Sequence, residues 1–548
     1  MKLHLPPLSR KLIKTVLLFV TLSLAHTALY AQTWNWALGE GDIGNDASNG
    51  VTTDLNSNTY ITGNIAGKAD FSGTIYQGNG IYEMFIAKYA GNGSIIWAKL
   101  AGGAGNDQGN AIKWKNGYLY VTGFYEDTAT FESTQVISKG SGDAFIAKYN
   151  DDGNLLWLRT MNGTGTDYGY ALDVDDAGNV FVAGNYEHAI TLGTTSLSTA
   201  NIYAESFFAK YDAQGNLVWA KSTVGNNANL ITGLAVDYHG AFYVTGYFGG
   251  SFKVGSGTIQ ASTASYDIFL AKVEQSDGSL DWIRQAGSSY EDGAHGVCCD
   301  KDGYPSITGY FAGTAMFGNN SVTYMDYNDI FVAHYDTSGN NLWVRAGRGN
   351  KLDVAFAITC DNDGNVISTG MFQNVVDFDG HTLTSPDILD RDVFLISYDK
   401  NGNFRWIEKA TGLDTDCGLA LAMYGNGKVA ISGYYLHTLF FGSIEIDYAD
   451  GNDLFVAVYD PPVVNGLEEV STQAVKLYPN PVNDWFTISC GDIGAGGTYT
   501  ITNTLGEILM QGTTSPRLTI NARAWPAGVY LLNLRSENKM EVLKLLKQ

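Results

Sequence analysis

One phrase recurs along this chain. "DAFIAKYNDDGNLLWLRTMNGTGTD" occupies residues 143–167, and "DIFLAKVEQSDGSLDWIRQAGSSYED", "DIFVAHYDTSGNNLWVRAGRGNKLD" and "DVFLISYDKNGNFRWIEKATGLDTD" repeat its pattern downstream. Trp36, Trp97, Trp157, Trp219, Trp282, Trp343 and Trp406 mark the copies at steps of 61, 60, 62, 63, 61 and 63 residues. Phe85, Phe145, Phe207, Phe269, Phe331, Phe394 and Phe455 keep the same spacing, as do Gly63, Gly123, Gly184, Gly246, Gly309, Gly370 and Gly433. Repetition at a fixed period restricts a chain to architectures that stack one supersecondary unit.

Each unit reads as strands. In the second, "NAIKW" is short and apolar, "KNG" is a turn, and "YLYVTGFY" is β-branched and aromatic. A looser stretch follows, then "DAFIAKYN", the turn "DDG", and "NLLWLR". Asn-Gly and Asp-Gly between such runs are hairpin signals, because a type I′ turn needs positive φ at both central residues. No helical periodicity intervenes. The unit is therefore expected to be a four-stranded antiparallel meander. The 65 glycines and the low 16% of charged residues suit a turn-rich β protein.

One such sheet cannot cover both of its faces. Sheets packed face to face around an axis can, and that is a β-propeller. A linear stack is the competing arrangement, but it leaves open edges. The ends of the array favour the ring. "TWNWALG", residues 33–39, supplies only an outer strand, and "DLFVAVYD", residues 453–460, ends a unit that lacks one. The expected fold class is all-β: a seven-bladed β-propeller of four-stranded antiparallel blades, residues 32–460. The units resemble the seven-bladed propeller repeat family of bacterial secreted proteins. That resemblance implies a fold and little about activity.

The two ends carry addresses. Lys2, Arg10, Lys11 and Lys14 precede the apolar "TVLLFVTLSLA", and Ala31 offers a cleavage point before Gln32. Residues 1–31 read as a secretory signal peptide, with an uncleaved membrane anchor as the alternative. No other segment is apolar enough to span a bilayer. Residues 461–474 read as a linker. Residues 475–548 give short strands, "YTITNT", "LGEILMQG", "RLTINA", "GVYLLNLRS" and "KMEVLKLLK", and are expected to form a small Ig-like β-sandwich. "LYPNP", "LGE", "WPAGVYLL" and the Lys-rich end closely resemble the (type A) C-terminal sorting domain of the type IX secretion system of Bacteroidetes. That resemblance implies export to the outer-membrane surface or the medium, via the periplasm, with the secretion machinery as partner.

The net charge of -23 argues against nucleic acid and against adsorption on an anionic membrane. Cys298, Cys299, Cys360, Cys417 and Cys490 are odd in number and lack CxxC spacing, so a disulfide framework is not expected. Cys299 and Cys360 each stand seventeen residues after a repeat Trp, and buried thiols are the favoured reading for them, with redox chemistry at the vicinal Cys298-Cys299 pair as the alternative. No metalloprotease, serine-hydrolase or phosphate-loop motif appears, and neither a cofactor nor a metal site is expected.

Two acids recur instead. Ten residues after each Trp stand Asp46, Asp107, Asp167, Asn229, Asp292, Asp353 and Asp416. Two residues before each repeat Phe stand Glu83, Asp143, Glu205, Asp267, Asp329, Asp392 and Asp453. The connections that carry them leave a meander on one face. A cation or cationic partner could bind there. The favoured reading is that each carboxylate accepts N–H bonds in its own turn, since a ligand site needs only some of the units. The "DDG"-type turns lack the ligand spacing of a calcium loop. "NDDGNLLW" resembles the Asp-box of sialidase propellers, but the Gly153-to-Trp157 interval is one residue too long. Tyr76, Tyr82, Tyr203, Tyr324 and Tyr327 fall in the variable stretches, where exposure is expected.

A non-catalytic secreted or surface propeller that binds a protein or glycan is the leading expectation. The alternative is an extracellular polysaccharide hydrolase or lyase with carboxylates at the channel mouth. An enzyme should break the repeat locally. The visible departures, Asn229 for Asp and His334 for Lys, are mild and unclustered.

Overall fold

The computed structural model describes residues 33–462 and 476–548, apart from short stretches at 43, 263–264, 448–450, 479, 490–496, 504–506, 516 and 536–539. The signal-peptide and linker expectations lie outside the described residues, as does Cys490. The chain divides into two compact units at residues 463/464. Every regular element described is a β-strand.

The second repeat shows how one unit is built. Gln108–Lys115, Tyr118–Tyr125, Asp143–Asn150 and Leu155–Gly163 run antiparallel in that order, with Gly123 opposite Phe145 and Phe145 opposite Thr160. "KNG" makes the expected I′-type turn, with φ of 52° at Asn116 and 83° at Gly117. "DDG" does not. Only Gly153 has positive φ, and the ladder slips at Lys148/Tyr149, so this turn closes through a bulge.

The looser stretch is a second hairpin, which the sequence reading did not assign. Thr128–Phe131 and Thr134–Ile137 pair with each other and return to the preceding repeat, placing Ala129 opposite Gly103 at the end of strand Ile95–Gly103. The four-stranded meander thus gains two strands from its neighbour. Six sheets have six strands in this way. Another holds four, and it contains both ends of the array.

In that sheet Thr33–Glu40 pairs along Asn452–Asp460, with Ala37 opposite Ala457. Trp34 and Trp36 point to opposite faces. Trp34 packs against Phe441 and Tyr459 at centroid distances of 4.7 and 5.0 Å, and Trp36 enters the next apolar core with Tyr89. Ser48 Oγ donates to Ser432 Oγ at 2.9 Å, and Thr53 Oγ1 donates to the Met423 carbonyl at 2.9 Å. The first and last repeats are therefore neighbours.

The recurring phrase has a packing cause. Trp157 Nε1 donates to the Ala213 carbonyl, Trp282 Nε1 to Thr337 and Trp343 Nε1 to Lys400, each in the turn of the following repeat. The turn glycine lies flat on the preceding indole: a Cβ at Gly153 would sit 2.9 Å from the Trp97 ring. Arg159 and Arg284 add donations to the same turns. "GN…W…R" is therefore a contact code between neighbours.

The C-terminal unit has two antiparallel sheets. Lys476–Tyr478, Trp485–Ser489 and Arg517–Asn521 form one; Ile508–Thr513, Thr498–Asn503, Gly528–Arg535 and Met540–Lys547 form the other. They share a core that includes Phe486, Ile501, Ile520, Leu532 and Leu545. Asn480 of "YPNP" ties the start of the unit to its last strand. Its Nδ2 donates to the Lys544 carbonyl at 2.7 Å, and its Oδ1 accepts from Leu546 N–H at 2.8 Å. Trp525 of "WPAGVYLL" packs on Phe486 and Tyr530.

Candidate functional site

The two recurring acids meet. The backbone N–H of Asp107 donates to the Tyr82 carbonyl, that of Asp167 to Gly142, that of Asp353 to Asn328 and that of Asp46 to Asn452. The start of a unit's third strand is thereby laced to the loop that leaves its fourth. The side chains pair as Asp453 with Asp46, Glu83 with Asp107, Asp143 with Asp167, Glu205 with Asn229, Asp267 with Asp292, Asp329 with Asp353, and Asp392 with Asp416. All are buried.

A glycine sits between each pair. A Cβ at Gly102 would lie 2.5 Å from both Asp107 Oδ2 and Glu83 Oε2, and one at Gly41 would lie 2.5 Å from Asp453 Oδ1 and 2.7 Å from Asp46 Oδ2. Any side chain there would enter the space the carboxyls occupy. This explains the recurring glycine that closes the fourth strand.

Each acid also accepts from backbone. Asp292 takes Ala312 N–H at 2.9 Å on Oδ1 and Ser288 N–H on Oδ2. Asp329 takes Gly349 N–H at 2.9 Å and Met325 N–H at 2.8 Å. These bonds fix the step from one sheet to the next. Asp292→Ala should lower stability by about 1–3 kcal/mol, the cost of stranding buried N–H groups. Thermal melts of the purified chain check this, and the loss should be the same with calcium or with chelator.

Burial pushes the carboxyls up. Asp46, Asp107 and Asp292 rise to about 7, and Asp167 and Asp353 to about 8, with the facing Asp143 and Asp329 adding to the rise in the latter two. Among the described residues no group of three or more His, Cys, Asp or Glu is placed to hold a metal ion.

Of the loop tyrosines, Tyr203 and Tyr327 are exposed. Tyr76, Tyr82 and Tyr324 are half-buried, contrary to expectation; Tyr76 and Tyr324 lie against apolar cores because the hairpins that carry them pack onto a sheet. Cys298 and Cys417 are buried, whereas Cys299 and Cys360, expected to be buried, are half-buried. A cleft of about 380 Å³, which the sequence reading missed, lies among the second, third and fourth repeats. There Lys113 meets Asp173 at 2.8 Å and Lys115 meets Asp176 at 2.6 Å. The signal was Lys113 and Asp173 at an inner-strand place where other units carry Thr52, Ala235 or Cys298.

Residues 476–548 match the family described as the secretion system C-terminal sorting domain. The tail is a type IX sorting domain. The protein is accordingly secreted or placed on the outer-membrane surface, via the periplasm. The all-β repeats before the sorting domain fit a propeller repeat family. An uncharacterized WD repeat-containing protein of Acanthamoeba polyphaga mimivirus is 24% identical over 477 residues, covering 70% of this chain and 33% of its own length. The regulatory protein FlaEY of Caulobacter vibrioides is 25% identical over 204 residues, 34% of this chain and 21% of its own. This chain spans a third or less of the length of these two curated relatives. Among solved structures it is similar to the WD40 β-propeller domain of Doa1, at TM-score 0.41 and 11% identity over 78% of this chain and 97% of that one. It is also similar to the Pan2 WD40 domain of Neurospora crassa, at TM-score 0.39 and 9% identity over 75% and 88%. Among the described residues no helix is long and apolar enough to cross a membrane.

Proposed function

We propose that residues 32–460 form a closed seven-bladed propeller that binds an extracellular protein or glycan and performs no catalysis. In this reading a bacterium of the Bacteroidetes exports it behind a signal peptide, residues 1–31. The linker, residues 461–474, then joins it to an Ig-like sorting sandwich, residues 475–548. The pairing of Thr33–Glu40 with Asn452–Asp460 supports closure.

Exposed apolar side chains beside the acid pairs carry the binding proposal. Ile202 and Tyr203 precede Glu205, Met325 and Tyr327 precede Asp329, and Ile388 and Leu389 precede Asp392. Ile202 is 92% exposed, Leu389 70% and Tyr327 60%. Large apolar groups gathered on one set of loops mark interaction surfaces. The hydrolase alternative needs carboxylates open to substrate, and burial of the recurring acids weighs against it.

A glycan and protein array probed with the purified mature chain tests this. For any ligand found, Tyr203→Ala with Tyr327→Ala should weaken binding by about tenfold or more while leaving the melting temperature unchanged. Unaltered affinity in that double variant would remove the loop surface from the proposal.

A further inference from the structure

We infer that each of the six carboxyl pairs is a proton-binding site, in which one acid donates its O–H to the other carboxylate and locks two neighbouring sheets together. The seventh pair points to this. Where six units have Asp, the fourth has Asn229, whose Nδ2 donates to Glu205 Oε2 at 2.9 Å. Its Oδ1 accepts from Ser206 N–H and from Thr223 Oγ1. An amide there is the permanent equivalent of a protonated acid: same shape, one acceptor oxygen, and a donor aimed at the facing carboxylate. This one unit carries in its amide a hydrogen that the other six must take from solvent.

Four of the remaining pairs, those of Asp143–Asp167, Asp267–Asp292, Asp329–Asp353 and Asp392–Asp416, contain a carboxyl oxygen that makes no other hydrogen bond. Asp167 Oδ2 and Asp353 Oδ2 are buried without a hydrogen-bond partner, although the other oxygen of each accepts from backbone N–H. Two ionised carboxylates facing across a glycine repel in a medium of low dielectric. One shared proton removes the repulsion and satisfies the orphan oxygen.

Positive charge acts on one acid of three pairs and not on the acid that faces it. Asp167 faces Asp143 and Glu187, with Lys139 acting on Asp143. Asp353 faces Asp329, which has Arg348 and Asp326 near it. Elsewhere the added neighbours are Asp42 at Asp46, Glu126 at Asp107, and Asp390 and Asp414 at Asp416, with Lys409 near Asp392. The upward displacement of Asp167 and Asp353 to about 8 agrees with proton retention near neutrality.

The sign of the pH effect follows. A carboxyl held above its unfolded value binds its proton in the folded state and not in the unfolded chain. Its contribution is full below the ordinary carboxylate range and is lost as pH rises through the folded value. The repeats should therefore be most stable near pH 4 and lose stability steadily as pH rises from there to about 8.

Thermal melts of the full mature chain from pH 5 to pH 8.5 test this, beside Asp167→Asn, Asp353→Asn and Asn229→Asp. The wild-type melting temperature should fall by about 5 °C or more across that range. Each Asp→Asn variant should melt above wild type at pH 8 and show a shallower slope. Asn229→Asp should differ least from wild type at pH 5 and melt progressively lower toward pH 8. A second readout needs no variant: the infrared carbonyl band of neutral carboxylic acid should be present at pH 6 and titrate away by pH 8.5. A flat wild-type profile without that band, or asparagine variants that melt lower at pH 8, would overturn the inference. So would calcium-dependent stabilisation of wild type that the asparagine variants lack, since the pairs would then hold a metal ion.

Discussion

A mature chain that begins at residue 40 should lose most of its cooperative thermal transition. Residues 33–39 supply the outer strand of the sheet that holds both ends of the array. Without them Asn452–Asp460 becomes an open edge, and an unpaired edge strand invites pairing with other chains. Trp34 is lost from the core formed with Trp406, Phe441 and Tyr459, and Trp36 from the next one. Deleting a buried Trp costs about 3–5 kcal/mol. Two such losses are comparable to the whole stability of a typical domain, about 5–15 kcal/mol. Circular dichroism melts and size-exclusion chromatography read the result. Aggregation or a large drop in melting temperature is expected, and Trp34→Ala alone should give roughly half the effect. A truncated chain that melts with the full one would mean that the repeats do not depend on the N-terminal strand.

The pairing of the two ends was legible because it is a counting matter: one end has a surplus strand, and the other lacks one. The strands themselves were legible where β-branched and aromatic residues alternate between turn signals, as in "YLYVTGFY". The second hairpin was not. Its strands are four residues long, and in the second repeat its turn is Glu132-Ser133, with φ of 53° at Glu132 and no glycine or asparagine. The alternation in Thr128–Phe131 does follow burial, Ala129 and Phe131 inward. Even so, no local signal says that these residues join the preceding repeat. The acids show the same divide. Their recurrence and their placement in turns are sequence properties. That Asp143 and Asp167 face each other across Gly163 is a property of two chain segments folded together. Only afterwards does Asn229 change from a mild irregularity into the one pair that carries its own hydrogen.

Removal of residues 476–548 should leave the remaining repeats folded and hold them in the periplasm. The two units have separate apolar cores, one centred on residues such as Phe486, Ile501 and Leu532, the others spread between the repeat sheets. Losing the former takes no core side chain from the latter, so the truncated chain should melt within about 2 °C of the full one, the range expected of changes that touch no core contact. Export should fail, because the sorting domain is the part that the type IX machinery recognises. Fractionation of the native host expressing the truncation should find the protein in the periplasm and absent from the surface and the medium. Asn480→Ala is the finer version. It strands the Lys544 carbonyl and the Leu546 N–H that hold the last strand, which should cost the tail about 1–3 kcal/mol and lower the exported fraction. If the truncated chain still reached the surface, the address would lie in the repeats, and the "YPNP" and "WPAGVYLL" segments would be structure without a sorting role.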